Sequence, residues 1–262
     1  MDRRQLLVTA VIGTLAGLFS GLFGVGGGVV MVPLLILWLG FGERQATATS
    51  LAAIVIIATA ATITHGGYGT VHLIEGLVVG LPAIAGVLAG AAFQQRIPAR
   101  QVSVLFAILL IAVAISMAIG TGDAEPTGSP SRDLQHILLA GLFGVAAGFI
   151  SGLLGVGGGT LFVPGLVYVL GLSQVEAEAT SLLAIIPVSL VGAWRQHRYG
   201  NLDLRKAVTM GSLAVPGALV GVVLANALPG RVLQIGFAAL LIFVAQNLVR
   251  RALRQSKDAK DE

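Results

Sequence analysis

The chain of 262 residues has no cysteine. That excludes disulfides, thiol nucleophiles and thiolate metal sites. It is also poor in charge, with Asp, Glu, Lys and Arg at 11% of residues and hydrophobic types at 56%, where a soluble domain carries about 25% charged residues. A water-solvated fold is excluded, and an integral membrane protein is expected. No Asp, Glu, Lys or Arg falls in the middle of any long apolar run, although a cation site in a membrane normally shows a carboxylate there. An anion or a neutral solute is favoured. The net charge of +4 is what cytoplasmic anchoring Lys and Arg supply, so nucleic acid is not expected as a partner.

Glycine is abundant, with 36 residues, which in a membrane chain means close helix approach and broken helices. A shift of 131 residues, without gaps, lays Gly17 on Gly148, Ser20 on Ser151 and the run Gly24–Gly28 on Gly155–Gly159. The same shift lays Pro33 on Pro164 and Thr49-Ser50 on Thr180-Ser181, and 19 of 36 positions from Gly17 to Ala52 are identical. Farther out, Tyr68-Gly69 meets Tyr199-Gly200, and Pro98 and Arg100 meet Pro229 and Arg231. The chain is therefore read as two copies of one unit.

Leu6 to Phe23 is long enough to cross the roughly 30 Å hydrocarbon core. Because it matches Ile137 to Leu154 in mid-chain, it is read as a retained helix, not a signal peptide. The five residues Gly24 to Gly28 then break it, and Val29 to Phe41 is too short to span, so a half-helix or re-entrant arm is expected. Pro33 fits the start of that arm. Gln45 to Thr64, Val71 to Phe93 and Val102 to Gly120 are each long enough to span.

The second unit repeats the order with Ile137 to Leu154, the Gly155 break, Leu161 to Leu172, Ala177 to Trp194, Ala207 to Leu228 and Val232 to Val249. The expected organisation is a first membrane repeat at 1–120, a periplasmic linker at 121–135, a second repeat at 136–251 and a charged, frayed cytoplasmic tail at 252–262. The fold class is all-α, with two tandem repeats of about five membrane segments each.

With the N-terminus in the cytoplasm beside Arg3 and Arg4, the inner loops receive Arg96, Arg100, Arg195, Arg198, Arg205 and Lys206. The tail adds Arg250, Arg251, Arg254, Lys257 and Lys260. The outer loops receive the acidic linker with Glu176 and Glu178. This is the asymmetry of the positive-inside rule, and it puts both termini in the cytoplasm. An odd number of segments per unit inverts the second copy, giving repeats related by an axis in the membrane plane. Counting each broken pair as one crossing gives four plus four parallel copies and places Arg96 and Arg100 outside.

Gly13, Gly17 and Gly21, with their copies, and Gly86-Gly90 with Gly217-Gly221, suit close helix packing. The breaks are more pointed. Gly24, Gly26, Gly27 and Gly28, and Gly155, Gly157, Gly158 and Gly159, leave backbone N–H groups without helical partners at membrane depth, where protein, water or a ligand must satisfy them. A helix starting just after would aim its positive dipole end at the same place, a standard way to hold an anion. Tight packing is the competing reading. No strand, acidic partner or lysine of the nucleotide motifs accompanies these glycines.

Ser173 to Glu176 reads as a capping box, which sets Thr180 and Ser181 about 10 Å below the helix start at 1.5 Å per residue. Thr49 and Ser50 are their copies. Their hydroxyls would meet a dehydrated oxyanion or bond back to the i−4 carbonyl. Ser20 and Ser151, one turn before each break, would line the same cavity. His65 could relay a proton, and Arg195 could gate or recruit anions at the cytoplasmic mouth. Tyr68, Trp194 and Tyr199 are read as interfacial anchors. No GxSxG elbow is present, which argues against a serine hydrolase.

Taken together, the GLxSGLxGVGGG start with its following proline, the ATATS or AEATS stretch about 20 residues later, the duplication and the length resemble the sulfite exporter TauE/SafE family over nearly the whole chain. The resemblance implies secondary transport of sulfite, organosulfonates or related small anions across the bacterial inner membrane, without enzymatic activity or cofactor. It implies substrate contact at the glycine runs and at Thr49, Ser50, Thr180 and Ser181. The expected partners are a small anion, lipid and, as a homodimer, a second copy of the chain. An anion channel or a non-transporting scaffold is the alternative.

Overall fold

A computed structural model describes residues 3–119 and 134–258. The described residues form ten helices: α1 (Arg3–Phe23), α2 (Gly28–Leu39), α3 (Glu43–Gly67), α4 (Leu73–Gln94), α5 (Ala99–Ile119), α6 (Leu134–Leu154), α7 (Gly159–Leu170), α8 (Gln174–Arg198), α9 (Leu204–Ala227) and α10 (Gly230–Asp258). Adding 131 to the first residues of α1 to α5 gives those of α6 to α10. The segment 121–133, read as most of the linker, lies outside the described residues. Six helices among the described residues, α1, α3, α4, α6, α8 and α9, are long and apolar enough to cross a membrane. Helix α10 runs to Asp258, past the end of its apolar run at Val249 and into the tail read as frayed.

Local chemistry sets the boundaries. The half-helices α2 and α7 start after Gly27 (φ 79°) and Gly158 (φ 88°) and stop at Gly40 (φ 67°) and Gly171 (φ 70°). All four are in left-handed backbone that side chains disfavour. Pro33 falls in the second turn of α2, later than the first-turn place that favours proline, because the helix already begins at Gly28. The Ser173–Glu176 capping box is present at the start of α8. At α9 the Asp203 carboxylate accepts from the N–H of Lys206 at 3.1 Å. Partial burial works against the Asp203 charge, but the Lys206 N–H and ammonium more than offset it and hold the carboxyl below its usual range.

Each half-helix doubles back on the helix before it. Gly27 packs on the backbone of Ala16, and Leu37 to Leu39 line a surface cleft with Arg4, Gln5 and Val8. In the other half Gly165 packs on the Phe143 ring. Beyond the broken pairs, two seams without side chains hold the bundle. Gly13, Gly17 and Gly21 of α1 meet the backbone of Met210, Ala214 and Ala218 of α9, four residues for four. Gly144, Gly148 and Gly152 of α6 meet Val79, Ala83 and Val87 of α4 in the same way. Both pairs therefore run in parallel. Without a hydrophobic drive in lipid, such close backbone contact supplies the dispersion that binds helices. Between the seams α3 and α8 cross, and Ile54 and Ile185 are fully buried there. Trp38, Tyr68 and Trp194 are about half exposed.

Candidate functional site

The centre of the molecule is built from the two glycine breaks. Gly24, Gly26 and Gly27 have φ of 68°, 70° and 79°, and Gly155, Gly157 and Gly158 have 74°, 79° and 88°. A chain in that conformation cannot continue the helical ladder. The first ladder ends at Gly24 N–H on Ser20 O (2.9 Å) and resumes at Val30 and Met31 N–H on Gly27 O (3.2 and 2.9 Å). Among the described residues no hydrogen bond takes up the N–H groups from Val25 to Val29. The second break matches: Gly155 N–H bonds Ser151 O (2.8 Å), Leu161 and Phe162 bond Gly158 O (3.0 and 2.9 Å), and Val156 to Thr160 stay unbonded. These stretches are buried.

The breaks touch each other across the two halves. A methyl on Gly28 would stand 2.8 Å from Val156 Cα, and one on Gly159 would stand 2.7 Å from Gly24 O. Gly26 and Gly157 both face Ile54 and Ile185, at 2.9 to 3.4 Å from the positions their own methyls would take. Two clusters of unbonded donors thus meet at an isoleucine pair, in a closed and tightly packed arrangement.

The hydroxyls divide into free and occupied. Ser20, Thr49, Ser50 and Ser151 are buried and have no hydrogen-bond partner. Ser181 donates to Gly24 O (2.6 Å) and lies 2.8 Å from Glu178 O. Thr180 accepts the N–H of His72 at 3.0 Å. Neither Thr49 nor Ser50 bonds back to its own helix, unlike Thr59 and Thr64 of α3, which do so at 2.7 and 2.8 Å. Ser189 is a fifth buried free hydroxyl, 3.2 Å from the methyl position of Gly157. It escaped sequence reasoning because its counterpart in the first unit is Ala58.

Polar groups close both ends of this centre. At one end Gln94 donates to Thr47 Oγ1 (3.2 Å) and Leu153 O (2.7 Å), accepts from Gln196 (2.6 Å), and Asn201 donates to Gln196 (2.8 Å). At the other, His65 lies 3.4 Å from Gly21 O and 3.3 Å from both Thr70 and Asn226. His65 thus stands at one end. Arg195 stands near the opposite one, stacked over the Tyr199 ring at 5.0 Å with its Nε unpartnered. Gln94 lies one residue past the apolar run Val71 to Phe93, yet it ends α4 with no exposure.

Glu178 requires a correction. Expected in an outer loop, it stands inside α8 and is 0% exposed, because α8 begins at Gln174 and carries the residue into the bundle. The apolar runs are therefore not free of carboxylates. Among the described residues no group of three or more His, Asp or Glu could hold a metal ion.

A family model described as sulfite exporter TauE/SafE matches residues 1–117 and 139–262. The chain belongs to the sulfite exporter TauE/SafE family. A probable membrane transporter protein of Xylella fastidiosa is 27% identical over 255 residues, covering 96% of this chain and 98% of its own. The probable membrane transporter protein YdhB of Bacillus subtilis is 30% identical over 223 residues, covering 84% and 90%. An archaeal relative, the probable membrane transporter protein MJ0441 of Methanocaldococcus jannaschii, is 24% identical over 216 residues, covering 80% and 78%. Six apolar spans and these relatives make this TauE/SafE protein a multi-pass membrane protein.

Proposed function

We propose that the chain is a secondary transporter that exports small anions, foremost sulfite or organosulfonates, across the bacterial inner membrane by alternating access. The observation that carries this reading is the run of five unbonded, buried N–H groups in each break. Successive free amides form a concave donor set that suits an anion, and the first turns of α2 and α7 add their dipole ends. Ser20, Thr49, Ser50 and Ser151 supply free hydroxyls, and Thr180 and Ser181 lie beside them.

An inverted repeat supports the rocking motion. α1 runs parallel to α9, and α3 does too, since Ala53 lies at Gly211 and His65 at Asn226. α6 runs parallel to α4, and α8 does too, since Thr180 lies at Gly76 and Ala184 at Gly80. The short link at 68–72 makes α3 and α4 antiparallel. Each of α1, α3 and α4 is then opposite in direction to its counterpart α6, α8 or α9, as in transporters whose halves share an axis in the membrane plane.

The face with Arg4, Arg96, Arg195, Arg198 and Lys206 is taken as cytoplasmic, which puts both termini there and the 121–135 linker in the periplasm. His65 and Arg195 would gate the two mouths. Counterflow in liposomes tests the reading: labelled isethionate, a taurine-derived sulfonate, should exchange across the bilayer and raise the unfolding midpoint of the purified protein. Collapse of the gradient without exchange would mean a channel. No exchange and no midpoint shift with sulfite, sulfonates or carboxylates would leave a scaffold.

A further inference from the structure

Glu178 has no part in holding the anion, yet it is among the most deeply buried polar residues of the chain. Its Oε1 accepts one hydrogen bond, from the Gln174 amide at 2.8 Å, and its Oε2 has no partner. Among the described residues no Lys, Arg or His lies within ion-pair distance. Of the elements packed against α8, α7 carries Tyr168, which is about half exposed, and α6 carries His136 in its first turn. On α8 and α4, Glu176 pairs with His72 at 3.1 Å, and Glu75 lies 3.9 Å from His72. α3 brings His65 to Gly21 O. From α10, Gln234 donates to Gln174 and in turn accepts from Arg231.

A bare carboxylate in a dry site, with one neutral donor and no cation, is costly, and such a group takes a proton instead. It is also poorly placed to remain charged beside an anion. Its backbone packs on the first break, where a methyl on Gly24 would stand 2.5 Å from Glu178 Cα. Ser181 ties the two together through Gly24 O and Glu178 O.

We propose that Glu178 is a proton-binding site coupled to the anion site, protonated while the anion is bound and deprotonated when it leaves. The proposal rests on the anion-transport reading. The carboxyl O–H breaks as the outer mouth opens, the proton passes to water there, and the carboxylate remains; binding reverses these steps. Linkage is reciprocal, so the anion must tighten proton binding by the factor that the proton tightens anion binding. A monovalent anion then crosses with one proton as a neutral pair, and net flux follows the product of both gradients.

Isethionate is the probe, because its sulfonate does not titrate near neutral pH. In weakly buffered detergent with a pH dye, adding isethionate to the wild-type protein should take up protons, and its affinity should fall as pH rises. Glu178→Gln should abolish the uptake and flatten the affinity against pH, whereas His197→Gln, at an exposed histidine, should keep both. An unchanged pH slope in Glu178→Gln, or its loss in His197→Gln alone, overturns the proposal. Infrared difference spectroscopy gives a second readout: at neutral pH, saturating isethionate should raise a protonated carboxyl C=O band in the wild-type protein, and that band should shift in Gln174→Leu. Absence of that band overturns the proposal even if isethionate binds. Failure of isethionate to bind at any pH instead counts against the substrate class.

Discussion

Thr47 and Glu178 hold equivalent places in the two halves, and each lies against the glycine break of the other half. Thr47 packs on Gly155, and Glu178 packs on Gly24. One is a neutral hydroxyl that accepts from Gln94, and the other is a buried carboxylate with an empty oxygen. The ends differ in the same sense, since His65 of the first half stands where the second half has Gln196. What is duplicated is backbone: the left-handed glycines, the half-helices and the two seams. What differs is proton chemistry, gathered at the Glu178 end. A symmetric set of backbone donors beside asymmetric titratable groups is the contrast that the proposed proton coupling would use.

The strongest test of the duplicated part is to fill the seams. Gly17→Val and Gly148→Val each drive a side chain into a carbonyl, that of Ala214 or Ala83, with no cavity to take it. Overpacking of a close-packed contact costs about 1–3 kcal/mol and sometimes more. Both variants should lower the unfolding midpoint, to a similar extent. A drop in only one would show that the seams are not equivalent supports.

The polar ends should respond unequally. Gln94→Leu removes bonds to Thr47, Leu153 O and Gln196 at once, leaving buried groups unsatisfied at about 1–3 kcal/mol. Asn226→Leu removes a contact to His65 at 3.3 Å and a bond to its own helix at Val222 O, so a smaller loss, about 1 kcal/mol, is expected. Denaturation midpoints in one detergent rank the two; equal losses would erase the distinction between the ends.

Much of the framework was legible in the residues. Glycine and proline spacing marked the broken pairs, because only backbone without side chains tolerates those turns, and Ser173 with Glu176 marked the start of α8. Glu178 was misplaced for a physical reason: in sequence it stands among polar residues, and only the packing of α8 against the first break buries it. Gln94 was lost likewise at the end of an apolar run. Ser189 gave no signal, since a lone serine in an apolar helix usually bonds back to its own turn.

The subtlest contrast is between the paired hydroxyls. Ser181 is tied to Gly24 O at 2.6 Å, while its counterpart Ser50 is buried with no partner. A made hydrogen bond contributes about 1 kcal/mol net, whereas a buried hydroxyl left without a partner carries an uncompensated desolvation cost. Ser181→Ala should therefore cost about 1 kcal/mol of stability, and Ser50→Ala, which removes a buried unpaired hydroxyl, should leave the unfolding midpoint at or above that of the wild type. The order should reverse for ligand. Ser50 has its hydroxyl available, so Ser50→Ala should weaken isethionate binding more, by roughly fivefold for one hydrogen bond of about 1 kcal/mol. Titration of both variants beside their melting curves would resolve it. If the variant that melts earlier is also the one that binds more weakly, the free hydroxyl has no share in the anion site.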